Sequence, residues 1–177
     1  MQIDALQATL FALFCVPISI WTFYVDLKHK RISNLTVWAL FLVFVVIGLA
    51  TMPLNDFLWR FAGYGIAFAY GFLMWMARQM GGGDVKFMAV AALFVHPGDI
   101  GAVIFILLAA LVGSTVAVLI SYYTPLRDLA PDWATWREKD PTDTDSVGKG
   151  KKFTIPMGTG LGLALSSYLV MGAFLGQ

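Results

Sequence analysis

The stretch LTVWALFLVFVVIGLATMP, Leu35–Pro53, runs for 19 residues without one charged side chain. A bilayer's hydrocarbon core is about 30 Å thick, and a helix rises 1.5 Å per residue, so about 20 mostly apolar residues cross it. This stretch is read as a membrane-spanning helix. The same reading extends outward to Leu6–Val25, Phe57–Ala77, Val85–Val95, Gly101–Tyr123 and Ile155–Leu175. Polar breaks separate these runs at Asp26–Asn34, Leu54–Asp56, Arg78–Asp84, His96–Ile100 and Thr124–Thr154. The fourth run holds only 11 residues, so it crosses a locally thinned region or enters without fully crossing, with Lys86 reaching back toward water.

The whole composition agrees with that stretch. Of 177 residues, 59% are hydrophobic and 13% charged, against roughly 45–50% and 25% in soluble domains. A mean hydropathy of +0.75 calls for lipid as solvent. The expected fold class is all-α: one polytopic membrane domain over residues 1–177, a bundle of six transmembrane helices. A net charge of +1 gives no basic stripe for nucleic acid. One cysteine, Cys15, excludes an intramolecular disulfide framework and a cysteine-rich zinc site. Residues Met1–Leu10 carry Asp4 and no Lys or Arg, which argues against a cleavable signal peptide.

Orientation follows from the basic residues, which concentrate in cytoplasmic connections. Lys28, Lys30, Arg31, Arg78, Lys86, Arg127, Arg137, Lys139, Lys149, Lys151 and Lys152 fall on the first, third and fifth connections or their edges, which is 11 of the 12 basic residues. Arg60 alone lies on the other side, with Asp4, Asp56 and Asp99. Six crossings with both termini outside the cytoplasm are the economical topology. The fifth connection, Thr124–Thr154, mixes charges of both signs with Pro131, Pro141 and a Gly-Lys run, and is expected to be a flexible cytoplasmic loop. Trp133 and Trp136 within it are an alternative sign of a short interfacial helix.

Two acids stand out at the cytoplasmic rim. Asp26 ends the first helix, where the macrodipole already places partial negative charge; its bland reading is a solvated pair with the basic residues that follow. Asp84 follows Gly81, Gly82 and Gly83, and its bland reading is a helix N-cap. Three glycines at a membrane rim suit a backbone that bends or is closely approached. Two carboxylates brought within a few ångströms do not both ionise, so together they supply an acid and a base able to activate water against a peptide carbonyl. His29 in a basic run and His96 in a turn lack partners at metal-ligand spacing. Ser114 and Thr115 have no adjacent base, so they are expected to bond to backbone or to pack between helices. Gly158, Gly160 and Gly162 suit close helix packing.

The stretch Asp26-Leu27-Lys28-His29-Lys30-Arg31-Ile32-Ser33-Asn34 resembles the first-aspartate motif of type IV prepilin peptidases, and Gly81-Gly82-Gly83-Asp84-Val85-Lys86 resembles their Gly-x-Gly-Asp motif. Ile155-Pro156-Met157-Gly158 is similar to the start of that family's last helix. The resemblance implies an intramembrane aspartyl endopeptidase of the bacterial inner membrane that removes leader peptides from prepilins and pseudopilins at the cytoplasmic face. It makes Asp26 and Asp84 the catalytic pair, with Gly81, Gly83 and Lys86 as motif or substrate-approach residues. Ser33 stands where the family usually has proline. The Cys-x-x-Cys pairs of longer members are missing, so the resemblance is to the short, peptidase-only kind serving Flp-type, tight-adherence pili, without methyltransferase activity, metal or other cofactor. The implied partners are a prepilin helix and membrane lipids. The alternative reading is a small proton- or cation-coupled transporter using both acids as a relay; a structural subunit is a third, and predicts tolerance of neutral substitution at both.

Overall fold

The computed structural model describes residues 1–29, 32–124 and 157–177. These form six helices: α1 (Ala5–His29), α2 (Asn34–Thr51), α3 (Leu54–Met76), α4 (Gly82–Phe94), α5 (Ile100–Tyr123) and α6 (Met157–Leu175), with a 3-10 turn at Pro97–Asp99. The apolar runs therefore become helices, each within a few residues of its expected limits. α1, α2, α5 with its preceding turn, and α6 are long and apolar enough to cross a membrane. α3 has 23 residues but carries Asp56 and Arg60. α4 has 13 residues, about 20 Å of helix, and falls short of the hydrocarbon thickness. The connection beyond Thr124, with Trp133 and Trp136, lies outside the described residues, as does the side chain of His29.

Short α4 is held inside the bundle: it packs chiefly on α3 and also on α2 and α6, while α6 packs on α1 and α5. Its Val85, Phe87, Ala89, Val90, Leu93 and Phe94 are all buried. In contrast, the long helices present Leu13, Trp38, Ile66, Phe105 and many other large apolar side chains outward, as a lipid solvent requires. Small residues set the close contacts. A Cβ at Gly160 would lie 2.6 Å from a Leu111 methyl, and one at Gly71 would lie 2.8 Å from the Met88 methyl. Lipid gives no hydrophobic drive between helices, so such close approach supplies the packing attraction.

Phe11, Phe44, Phe57 and Phe94 lock α1, α2, α3 and α4 together at one end of the bundle. Phe94 meets Phe11 edge-on at 4.9 Å and Phe44 at 5.6 Å, and Phe57 stacks on Phe44 at 5.2 Å. Both chain ends sit at this end too, where the Met1 amine donates to the Leu175 carbonyl at 2.9 Å. The α1/α2 and α3/α4 connections and the start of α6 lie at the other end.

The α3/α4 connection begins with a left-handed residue. Arg78 has φ 57°, and the Gln79 amide donates to Met74 O while the Arg78 amide donates to Trp75 O, both at 2.9 Å. This is the Schellman closure of a helix end, a position that favours glycine. Arg78→Gly is expected to stabilise the bundle by about 0.5–1 kcal/mol, because it removes the Cβ penalty of the left-handed region. Thermal denaturation in detergent, compared with an Arg78→Ala protein that retains the strain, measures it.

Candidate active site

The α1 residues Ser19, Thr22 and Asp26 recur at helical spacing and are all buried. This polar stripe meets α6, where a Cβ at Gly162 would lie 3.4 Å from the Ser19 carbonyl. Asp26 ends the stripe and is only 4% exposed, so it is not the solvated surface carboxylate of the bland reading. Its Oδ2 accepts the Thr159 amide at 3.0 Å and the Thr159 hydroxyl at 3.4 Å. Thr159 is the third residue of α6, and its amide is among the first-turn donors that a helix cannot satisfy internally. Asp26, misplaced for the dipole of α1, thus lies on the positive end of α6, an arrangement that favours a carboxylate.

Asp84 occupies the first turn of α4, three residues after the N-cap Gly81. It is not itself the N-cap; its carboxylate reaches back to accept the Gly81 amide, the acidic half of a capping box. It is half-buried and lies at the rim, outside the apolar segment Val85–Val95. Its carboxyl is pushed up to about 7, first by burial and then by the negative charge of Asp26, against the downward pull of the Gly81 amide. The two acids are therefore close enough to interact electrostatically. No hydrogen bond joins them among the described residues.

Ile32 sits between the two sides of this site. A Cβ on Gly83 would lie 3.2 Å from Ile32 Cβ, and one on Gly158 would lie 3.0 Å from Ile32 Cδ1 and 2.6 Å from Asp26 Oδ2. Ile32 is thus wedged between the starts of α4 and α6. Gly83 answers the expectation of close backbone approach. Gly81 meets a different neighbour, since a Cβ there would lie 2.7 Å from Oδ2 of Asp84. Lys86, exposed, donates from Nζ to Asn34 Oδ1 at 3.1 Å, tying the start of α4 to that of α2. Ser33 caps α2 by accepting the Leu35 amide at 3.2 Å, so the turn that differs from the family's usual proline is closed by a side chain.

Thr159 and Ile32 were not singled out from the sequence. Position three after the start of an apolar run following Pro156 is the signal for a free amide donor, but nothing linear says which carboxylate it meets. Ser114 and Thr115 both donate to the Leu111 carbonyl, at 3.0 and 2.8 Å, as expected. His96 is a turn residue whose Nδ1 accepts the Gly98 amide at 3.1 Å. Among the described residues no three His, Cys, Asp or Glu side chains are grouped to hold a metal ion.

A lipid-exposed helical bundle with two interacting carboxylates at one end defines a membrane protein with a candidate acid–base site. The chain belongs to the type IV leader peptidase family, whose model matches residues 13–118. That span includes both acids and the glycines before Asp84, and stops short of α6. No match was found to a curated protein or to a solved structure.

Gly158 is the tightest constraint on Asp26. Gly158→Ala is expected to lower peptidase activity tenfold or more, since displacement of a reacting group by about an ångström costs on that scale or above. Gly65→Ala, where a Cβ meets nothing within 4 Å, is expected to leave it unchanged. The measurement is the turnover of equal amounts of each folded variant.

Proposed function

We propose that this chain is an aspartic endopeptidase that removes the leader peptide from Flp-type prepilins or pseudopilins at the cytoplasmic face of a bacterial inner membrane. The observation that carries the reading is the pairing itself: Asp26 and Asp84 occupy one end of the bundle, and the charge of one raises the proton affinity of the other. The absence of methyltransferase chemistry is part of the proposal, since the chain has one cysteine in all.

In this mechanism Asp26 is the ionised member. Two donors from Thr159 converge on its Oδ2, which suits a carboxylate and orients it. Asp84, with its carboxyl pushed up to about 7, keeps a proton at neutral pH. A water between them loses its proton to Asp26 and attacks the scissile carbonyl, whose oxygen receives a hydrogen bond from Asp84. The tetrahedral adduct collapses when the leaving nitrogen takes a proton back from the pair, and no acyl-enzyme forms. Gly81 leaves the approach to the Asp84 carboxylate free of side-chain bulk, and Lys86 ties the start of α4 to α2.

The test is cleavage of a leader-bearing prepilin by membranes containing matched amounts of each protein. Asp26→Asn and Asp84→Asn are each expected to lose about a hundred- to ten-thousandfold in rate, and the double variant little more, because members of one unit are non-additive. Activity is expected to fall as pH rises through about 7, where Asp84 loses its proton, and again at acidic pH, where its partner gains one. Substantial cleavage by either Asn variant would remove the dyad.

Orientation belongs to the same proposal, with the termini outside the cytoplasm and the acids facing it. Cysteine labelling in intact cells tests it, with buried Cys15 silent. Asp56→Cys is expected to react from outside, and Gln79→Cys only after permeabilisation; the reverse pattern would place the acids on the outer face.

A further inference from the structure

The end of the bundle opposite the acids holds a second polar cluster that peptide cleavage does not use. Asp99 is buried and well supplied, accepting the Gln2 amide at 2.8 Å, the Ile3 amide at 3.1 Å and the Tyr168 hydroxyl at 3.1 Å. Arg60 is just as buried, at 5% exposed, and is not. Its Nη1 donates to the Phe94 carbonyl at 3.3 Å, and no carboxylate among the described residues forms an ion pair with it. Asp56 and Asp99 attract it only from longer range. A guanidinium carries five N–H donors in a planar fork, so most of this one's capacity is left over, and because none of its nitrogens is an enclosed atom without a partner, the spare donors open onto the space beside it.

Arg60 lines a cavity of about 340 Å³, whose wall also carries Asp4, Gln7, Asp56, Trp59 and His96. The volume is at the small end of ligand sites. Charge narrows the occupant. A simple anion would meet Arg60 but also two carboxylates, and a simple cation would meet the carboxylates but also Arg60. A ligand with both signs a few ångströms apart answers both. Asp4 spends one oxygen on the Gln7 amide, at 2.9 Å, and keeps the other. The mouth is at the membrane boundary: Trp59 is 62% exposed beside outward-facing Leu54 and Leu58, and an indole prefers that depth.

We propose that this cavity binds the phosphoethanolamine headgroup of a membrane phospholipid, with the phosphate on the free edge of Arg60 and the ammonium on Asp4 and Asp56. The ammonium supplies N–H donors to the carboxylates, which a trimethylammonium lacks. A phosphoglycerol headgroup supplies the phosphate and leaves the carboxylates opposed. The site therefore ranks ethanolamine lipids above choline and glycerol lipids.

The test is native mass spectrometry of the full-length protein released from micelles containing equal amounts of phosphatidylethanolamine, phosphatidylcholine and phosphatidylglycerol of one chain length. Retention of the ethanolamine lipid about tenfold over each of the others is expected, from two partly exposed charge contacts. Asp4→Asn combined with Asp56→Asn, both exposed positions, is expected to erase the preference. Arg60→Gln is expected to drop all three lipids to equal, low retention; should that protein fail to fold, the carboxamide pair still decides. Asp26→Asn is expected to keep the full preference, which separates this site from the acid pair. Equal retention of the three lipids by the unaltered protein, or an unchanged preference in the carboxamide variant, would overturn the proposal. Free O-phosphoethanolamine at the same concentration is expected not to displace the lipid; displacement would overturn the assignment to a membrane lipid in favour of a soluble zwitterion.

Discussion

The contact between Asp26 and the first turn of α6 organises the acid-bearing end of this protein. A carboxylate at the C-terminal end of α1 is unfavourable by itself, since the last carbonyls of that helix already carry negative charge. The unpaired amides at the start of α6 are equally unfavourable away from water. Bringing the two together at 3.0 Å satisfies both, and it is possible only because residue 158 has no side chain. Ile32 then fills the space beside them and reaches Gly83 on α4, so the position of Asp84 depends on the same contact.

The bundle is consequently polar at its two ends and apolar between, with α4 too short to hide either end in the hydrocarbon core. At one end Asp26 and Asp84 share an electrostatic environment that makes their protonation interdependent. At the other, Asp99 fastens the first residues of the chain to Tyr168 and the α4/α5 turn, while Arg60 is left with donors to spare. Aromatic packing adds to the hold at that second end, and close approach at Gly71 and Gly162 holds helices together elsewhere. That division leaves interacting ionisable groups at one end while the opposite end fastens the helices together.

The span limits were legible because a lipid solvent imposes a length and a hydropathy on every crossing segment, and both are linear properties. The runs at Leu35–Pro53 and Gly101–Tyr123 are helices within two residues of their expected limits. The acids were legible for a related reason. A charge at the boundary of an apolar run is conspicuous, and the glycines before Asp84 have no structural excuse in a regular helix. Thr159 was not legible, because its part is played by a backbone amide that every residue but proline possesses. Ile32 was hidden by its chemistry: an apolar residue in a polar connection looks incidental until two glycines from distant helices are found against it.

Sequence alone settled that this chain is a helical membrane protein, where its helices run, and that two carboxylates stand at the ends of apolar runs, one of them after three glycines, since composition and spacing along the chain carry those facts. Tertiary structure decided what the carboxylates face. The dipole that accepts Asp26 lies 133 residues away, and the negative charge felt by Asp84 comes from another helix. Electrostatics acts through space in a medium of low dielectric constant, so these relations exist only once the helices have packed.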